Sequence, residues 1–216
     1  MNKHRILVFD VETTGLLPKV SKEPKGPSEP TLSIESNPYI IQFSFILYNL
    51  QTRAIERKHD FYINPPIDIP EKITEITGIT KEMCVEKGVP LILALDCFYD
   101  CYTMSNTVIA HNMAFDSAMV KIELERNKEE IELIAYYCFN LFDATFEQSR
   151  GIDRFCTMRY STNICNIMVS RGPSVKDIQD PNVPVKIPAK YKKWPTLLEF
   201  HQHLFNSVPE NLHNSI

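Results

Sequence analysis

The stretch Ile6 to Leu16, ILVFDVETTGL, restricts this chain more than any other. Ile6, Leu7, Val8 and Phe9 form a short continuous apolar run of the kind expected for a strand covered on both faces. Two acids then follow, separated by one residue. Strand side chains alternate faces, so Asp10 and Glu12 point the same way, with Cα atoms ~6.6 Å apart. At an effective dielectric near 20, two carboxylates about 5 Å apart repel by about 3 kcal/mol, so such a pair calls for a cation or a shared proton. A divalent metal is the economical solution. Thr13, Thr14 and Gly15 turn the chain sharply and bring backbone N–H groups and hydroxyls close to whatever the acids hold.

The string FDVETTGL resembles the first motif of the DEDD exonucleases, the group that includes the epsilon proofreading subunit of bacterial DNA polymerase III. Further segments resemble the same family in the same order. TGIT at 77–80 resembles the turn before a helix that Thr80 caps, with Met83 in place of the family's leucine. Thr107 to Ala110 reads as a buried strand running into His111, Asn112 and the string HNMAFD, which resembles the second motif and supplies Asp116. Near the end, NLHNSI resembles the start of the last motif of the histidine subclass, DEDDh, so His213 stands where that subclass keeps its general base. The subclass places a further acid at the sixth residue of this motif, whereas the sequence stops at the fourth; the reading is a natural protein that continues further.

What the resemblance implies is an α/β, ribonuclease H-like mixed sheet flanked by helices, a single domain over 1–216, and 3′ to 5′ exonuclease activity. Two Mg²⁺ or Mn²⁺ ions would be held by Asp10, Glu12 and Asp116, with His213 as the fourth catalytic residue. Thr13, Thr14, Leu16, His111 and Asn112 would bind the 3′ end of the nucleic acid, single-stranded DNA being the expected partner, and a polymerase or repair partner fits the family. The chemistry needs such residues. Hydrolysis by two metals takes hard oxygen ligands, and histidine accepts a proton near neutral pH without perturbation. An RNA-directed exonuclease of the same fold is an alternative, because ions and base do not distinguish the sugars. An inactive nucleic-acid-binding or assembly module is another.

Tyr39 to Leu50 and Arg53 to Ile63 read as two strands that complete an antiparallel meander with the first. Pro90 to Thr103 reads as an apolar helix, and Pro195 to Phe205 as an amphipathic one. Two segments exceed the family pattern: a Pro- and Lys-rich loop at about 18–38, either a solvated insertion or a flap over substrate, and 126–155, read as a helix extended by insertion over Glu129 to Phe142.

A formal charge of −4 gives no global attraction to a polyanion, so contact needs local basic patches or metal ions. From Arg171 to Trp194 six Lys/Arg face two Asp, and Lys190, Lys192, Lys193 and Trp194 form the candidate patch, with packing the alternative role for the tryptophan. The six cysteines contain no C-x-x-C pair and read as free thiols. With no signal-like or membrane-spanning run in the N-terminal residues, an intracellular protein, cytoplasmic or nuclear rather than secreted, is the expectation.

Overall fold

The computed structural model describes residues 4–18, 34–170 and 190–209. The 19–33 portion of the Pro- and Lys-rich loop, the basic residues between 171 and 189, and His213 lie outside the described residues. The chain divides into two compact units, one running up to Phe155 and one beginning at Cys156.

The first unit is built on a five-stranded mixed sheet of order β3-β2-β1-β4-β5. Strand β1 (Arg5–Thr13) pairs antiparallel with β2 (Ile40–Asn49), which pairs antiparallel with β3 (Ala54–Tyr62). On its other side β1 runs parallel to β4 (Thr107–Ala110), and β5 (Asp153–Cys156) follows beyond β4. The expected meander is present, closed by a turn in which the Asn49 side chain accepts hydrogen bonds from the amides of Gln51 and Thr52.

Leu7, Phe9 and Val11 of β1 face a core that α3 (Leu91–Met104) closes from above. Phe98 of that helix packs against two strands at once, with ring centroids 5.1 Å from Phe9 of β1 and 4.7 Å and 5.2 Å from Phe43 and Phe45 of β2. The opposite face of β1 differs from expectation. Val8 is 41% exposed, so the apolar run is covered on one face and partly open on the other.

Short helices α1 (Glu71–Thr77) and α2 (Lys81–Lys87) follow β3. They are separated by Gly78 in the left-handed conformation (φ 73°) and by Thr80, whose side chain accepts from the Met83 amide. After β4 comes α4 (Met113–Arg126). The extended helix expected over Glu129 to Phe142 is instead α5 (Lys128–Ile134), a 3-10 turn over Tyr136–Asn140 and α6 (Ala144–Arg150). Within the expected span the first break falls at Ala135, which leaves helical geometry at φ −143° and ψ 46°. Tyr102 donates to the buried Glu147 carboxylate, which is also held by Arg154 at 2.6 Å, and this network ties α6 to the core. All six cysteines are free, three of them buried.

In the second unit α7 (Thr157–Cys165) follows β5, so FCTMRY is a strand end entering a helix. A two-stranded ribbon of β6 (Met168–Ser170) and β7 (Lys190–Lys192) precedes α8 (Leu197–Phe205). Thr196 and Glu199 form a reciprocal capping box at the start of α8. Among the described residues no helix is long and apolar enough to cross a membrane.

Helix α4 is fastened to the sheet by charge. Glu123 accepts from the Ile40 amide at 3.0 Å and pairs with Arg126 at 2.7 Å, both side chains being almost fully buried. Arg126 also donates to the carbonyls of Ile34, Asn37 and Pro38 and lies 3.8 Å from the Tyr39 ring centre. Removing one partner of a buried ion pair strands the other, so Glu123→Ala should lower stability by about 3–5 kcal/mol in urea titration. A loss below about 1 kcal/mol would mean that this pair does not fasten the helix.

Candidate active site

Local sequence places the acids. The apolar residues of β1 fill the core from one side, which obliges Asp10 and Glu12 to share the other. Their cross-strand partners on β2 are Ser44 and Gln42, and the ladder register shifts between Glu12 and Thr13, a bulge of the kind found beside active sites. The turn that follows is tightly tied. The Thr13 hydroxyl donates to the Gly15 carbonyl at 2.6 Å, the Thr14 amide donates to the Tyr39 carbonyl at 2.9 Å, and the Tyr39 amide donates to the Thr14 hydroxyl at 3.0 Å. These groups therefore hold the turn in place. Leu16 emerges from it 85% exposed, a large apolar side chain beside two acids.

Electrostatics couples the pair. Burial, and after it the negative charge of Asp10, push the Glu12 carboxyl up to about 7. A carboxyl so placed is half-protonated at neutral pH unless a cation stands beside it. Hard carboxylate oxygens suit Mg²⁺ or Mn²⁺, and Mg²⁺ is commonly held by one or two carboxylates, with water and substrate phosphate completing its shell. The pair fits that demand. Among the described residues, no three His, Cys, Asp or Glu side chains stand close enough together to hold a metal ion.

Asp116 lies in the first turn of α4 and is 2% exposed. Parallel pairing of Ile6, Leu7 and Val8 with Thr107, Val108 and Ile109 carries β4 to the level of Phe9, and α4 starts three residues beyond Ala110. His111 and Asn112 form that junction, both partly exposed, with Asn112 in the left-handed region at φ 77°. The helix bearing Asp116 thus begins at the end of the sheet where β1 presents its acids.

The basic patch lies in the second unit. Lys190 and Lys192 are exposed on β7, with Lys192 donating to Asn163, while Lys193 forms a 2.6 Å ion pair with Glu199. Trp194 is exposed.

Sequence reasoning gave no role to three residues near the acids. Gln42 and Ser44 are buried on β2, and both donate at 2.7 Å to the carboxylate of Asp60 on β3. The signal was a Gln and a Ser two residues apart in an apolar strand, the same spacing as the two acids they face.

Because Glu12 titrates higher folded than unfolded, the folded state binds more protons between pH 4.5 and about 7, and stability falls as pH rises through that window. The full shift corresponds to about 3 kcal/mol, which partial solvent exposure reduces to about 2. Glu12→Gln should therefore raise Tm at pH 8 and leave it unchanged near pH 4.5; equal gains at both pH values would remove the coupling. Added Mg²⁺ should raise the Tm of the parent chain at pH 8 but not that of Glu12→Gln.

The model of the exonuclease family matches residues 7–178. The chain is 34% identical over 126 residues to the 3′-5′ exonuclease DinG of Bacillus subtilis, covering 58% of this chain and 11% of that protein. It is 30% identical over 142 residues to the DNA polymerase III subunit epsilon of Buchnera aphidicola, covering 66% of this chain and 54% of the relative. It thus spans from about a tenth to about half of these relatives. E. coli exonuclease I in complex with a dA16 oligonucleotide shares the fold at a TM-score of 0.59 and 15% identity, over 99% of this chain and 38% of that one. With four-fifths of its residues matched and the five-stranded mixed sheet in place, this chain belongs to the exonuclease family.

Proposed function

We propose that this chain is a 3′ to 5′ exonuclease that hydrolyses phosphodiester bonds of nucleic acid, single-stranded DNA foremost, to mononucleotides with the help of two Mg²⁺ or Mn²⁺ ions. The observation that carries the reading is the coupled Asp10 and Glu12 pair on one strand face, poised at a tied turn. Asp10 and Glu12 would hold the ions, with Asp116 acting from the start of α4 largely through water. When bound, such ions neutralise the scissile phosphate and lower the pKa of a water.

The residues of the chain supply the rest. The rigid turn at Thr13 to Gly15 fixes where the 3′ end stops, and Leu16 offers an apolar surface for its terminal base. His111 and Asn112 stand at the β4–α4 junction to contact the substrate. His213 takes the proton of the attacking water, a task suited to an unperturbed imidazole. Lys190, Lys192, Lys193 and Trp194 would contact nucleic acid, Lys190 and Lys192 through charge and Trp194 through stacking. The likeness to a polymerase III epsilon subunit and to an exonuclease I solved with dA16 supports DNA as substrate and a polymerase or repair assembly as partner.

Asp10→Asn should reduce release of mononucleotides from a 3′-labelled oligonucleotide by about 10³-fold or more while preserving the fold, the size expected for loss of a transition-state electrostatic group. Wild-type turnover in that variant would remove the assignment. Matched DNA and RNA oligonucleotides decide the sugar, since faster trimming of RNA would make the chain an RNA-directed exonuclease. If no mononucleotide appears at any Mn²⁺ concentration and Asp10→Ala binds nucleic acid like the parent, the chain is a binding module. In the active chain His213→Ala should lower turnover strongly and flatten the acid limb of the pH profile. An unchanged profile would place the base elsewhere.

A further inference from the structure

Away from the acids of β1, helix α2, the start of α3 and α5 surround a cavity of about 440 Å³, whose lining includes Val85, Val89, Ile92 and Ile131 together with Asn127 and Glu130. Ligand pockets run from ~300 to 1,000 Å³. The walls are fixed by the backbone. The Val89 amide donates to the Tyr62 carbonyl at 2.9 Å, which ties this wall to β3, and the Ile131 amide donates to the Asn127 carbonyl at 3.0 Å. At Gly88 a Cβ would stand 2.1 Å from the Cys84 carbonyl oxygen, so glycine is what lets the chain leave α2 this closely.

The lining is mixed. Apolar side chains stand beside an acid and a primary amide, which suits a guest that is apolar along its stem and cationic at its tip, as Lys and Arg side chains are. Glu130 is exposed, and the cations of its own stretch are engaged elsewhere: Lys128 lies 4.0 Å from Glu132, and Arg126 pairs with Glu123 at 2.7 Å. The Asn127 side-chain nitrogen donates to the Glu123 carbonyl at 2.9 Å, so the oxygen is the end of that amide able to accept from a guest. Acids in the first turn of α5 also meet the helix dipole. The dipole does not explain the apolar surface beside them. Ile134 follows Glu130 by one turn on the same side of α5 and is 65% exposed, Leu133 is 86% exposed, and Val85 on α2 is 62% exposed.

We propose that this cavity is a protein-docking site that takes a Lys or Arg side chain of a partner, its stem against Ile92 and Ile131 and its cationic end on Glu130, while apolar residues of the same partner segment cover Val85, Leu133 and Ile134. Charge selects this occupant. A nucleic-acid strand would bring phosphates against Glu129 and Glu130, and an isologous contact between two copies would set these acids against one another. A free amine would satisfy Glu130 and leave the apolar residues in water. The partner is therefore a basic, amphipathic protein segment. The inference goes beyond the proposed function and does not rest on it, because the cavity shares no residue with the site on β1.

The test uses the full chain and a fluorescein-labelled helical peptide of leucine and lysine alone, with the leucines on one face, read by fluorescence anisotropy. The parent should bind it, and Glu130→Gln should weaken binding about tenfold, the value of one hydrogen bond to a charged group. Ile134→Ser should weaken it about tenfold through lost apolar contact. Glu130→Lys should invert the preference, favouring a peptide in which glutamate replaces lysine, an outcome that neither misfolding nor general attraction to an acidic chain produces. Mononucleotide release should match the parent's in all three variants. No binding by the parent, equal binding by Glu130→Gln or Ile134→Ser, or no inversion in Glu130→Lys would each overturn the inference. So would displacement of the peptide by a single-stranded oligonucleotide, or a dimer of the parent in sedimentation velocity that Ile134→Ser dissociates, since the face would then belong to nucleic acid or to a second copy. Loss of mononucleotide release in Glu130→Gln would overturn it too, by moving that residue into the active site. A parent that binds the peptide and releases no mononucleotide would refute the proposed function alone.

Discussion

A buried ion pair far from any chemistry sets the geometry of the site. Glu123 and Arg126, one helical turn apart on α4, would each be costly to bury alone. Together they satisfy the Ile40 amide and three carbonyls of the 34–38 segment, and the carboxyl of Glu123 still lies above its ordinary range because burial outweighs the attraction of Arg126. Ile40 pairs with Thr13, and Tyr39 holds Thr14, so the helix, the start of β2 and the turn after the acids are joined through adjacent residues. Asp116, two turns N-terminal to Glu123, is carried by that same helix. Displacing α4 would disturb the acids of β1 and Asp116 together.

Packing and electrostatics are linked through the sheet. The cluster of Phe9, Phe43, Phe45, Phe98 and Phe142 fills the face behind the acids with apolar rings and keeps water from that side. Low local polarity is what makes a second negative charge at Glu12 expensive. The cost is a local loss of stability, and stability given up at one spot for chemistry is characteristic of functional sites. It persists because the surrounding core over-determines the conformation of β1.

Much of this was readable from residue order, and the unreadable parts share one cause. The three-stranded meander, the Thr80 cap and the β4–α4 junction follow from alternation, a capping residue and a short apolar run, all local properties. Glu123 was not readable. In KIELER it has the look of a solvated helical acid, and only its contact with Ile40, 83 residues away, shows it to be structural. The same holds for Gln42 and Ser44, whose meaning depends on Asp60, 18 and 16 residues later in the adjacent strand. The break at Ala135 escaped because alanine is a good helix former, so nothing in the residue type marks a helix end there. Val8 misled in the other direction: a continuous apolar run implies two covered faces, yet local pattern carries no information on what packs against the second.

Charge balance points to how such a chain can grip a polyanion. A formal charge of −4 gives the chain no global attraction to phosphate, and Lys193 and Arg126 are already engaged by Glu199 and Glu123. The acids at Asp10 and Glu12 would on their own repel a phosphodiester. On the proposed function, divalent ions bound there would reverse the sign of the site, turning the strongest local repulsion into attraction. Affinity for nucleic acid and catalytic competence would then depend on the same charges.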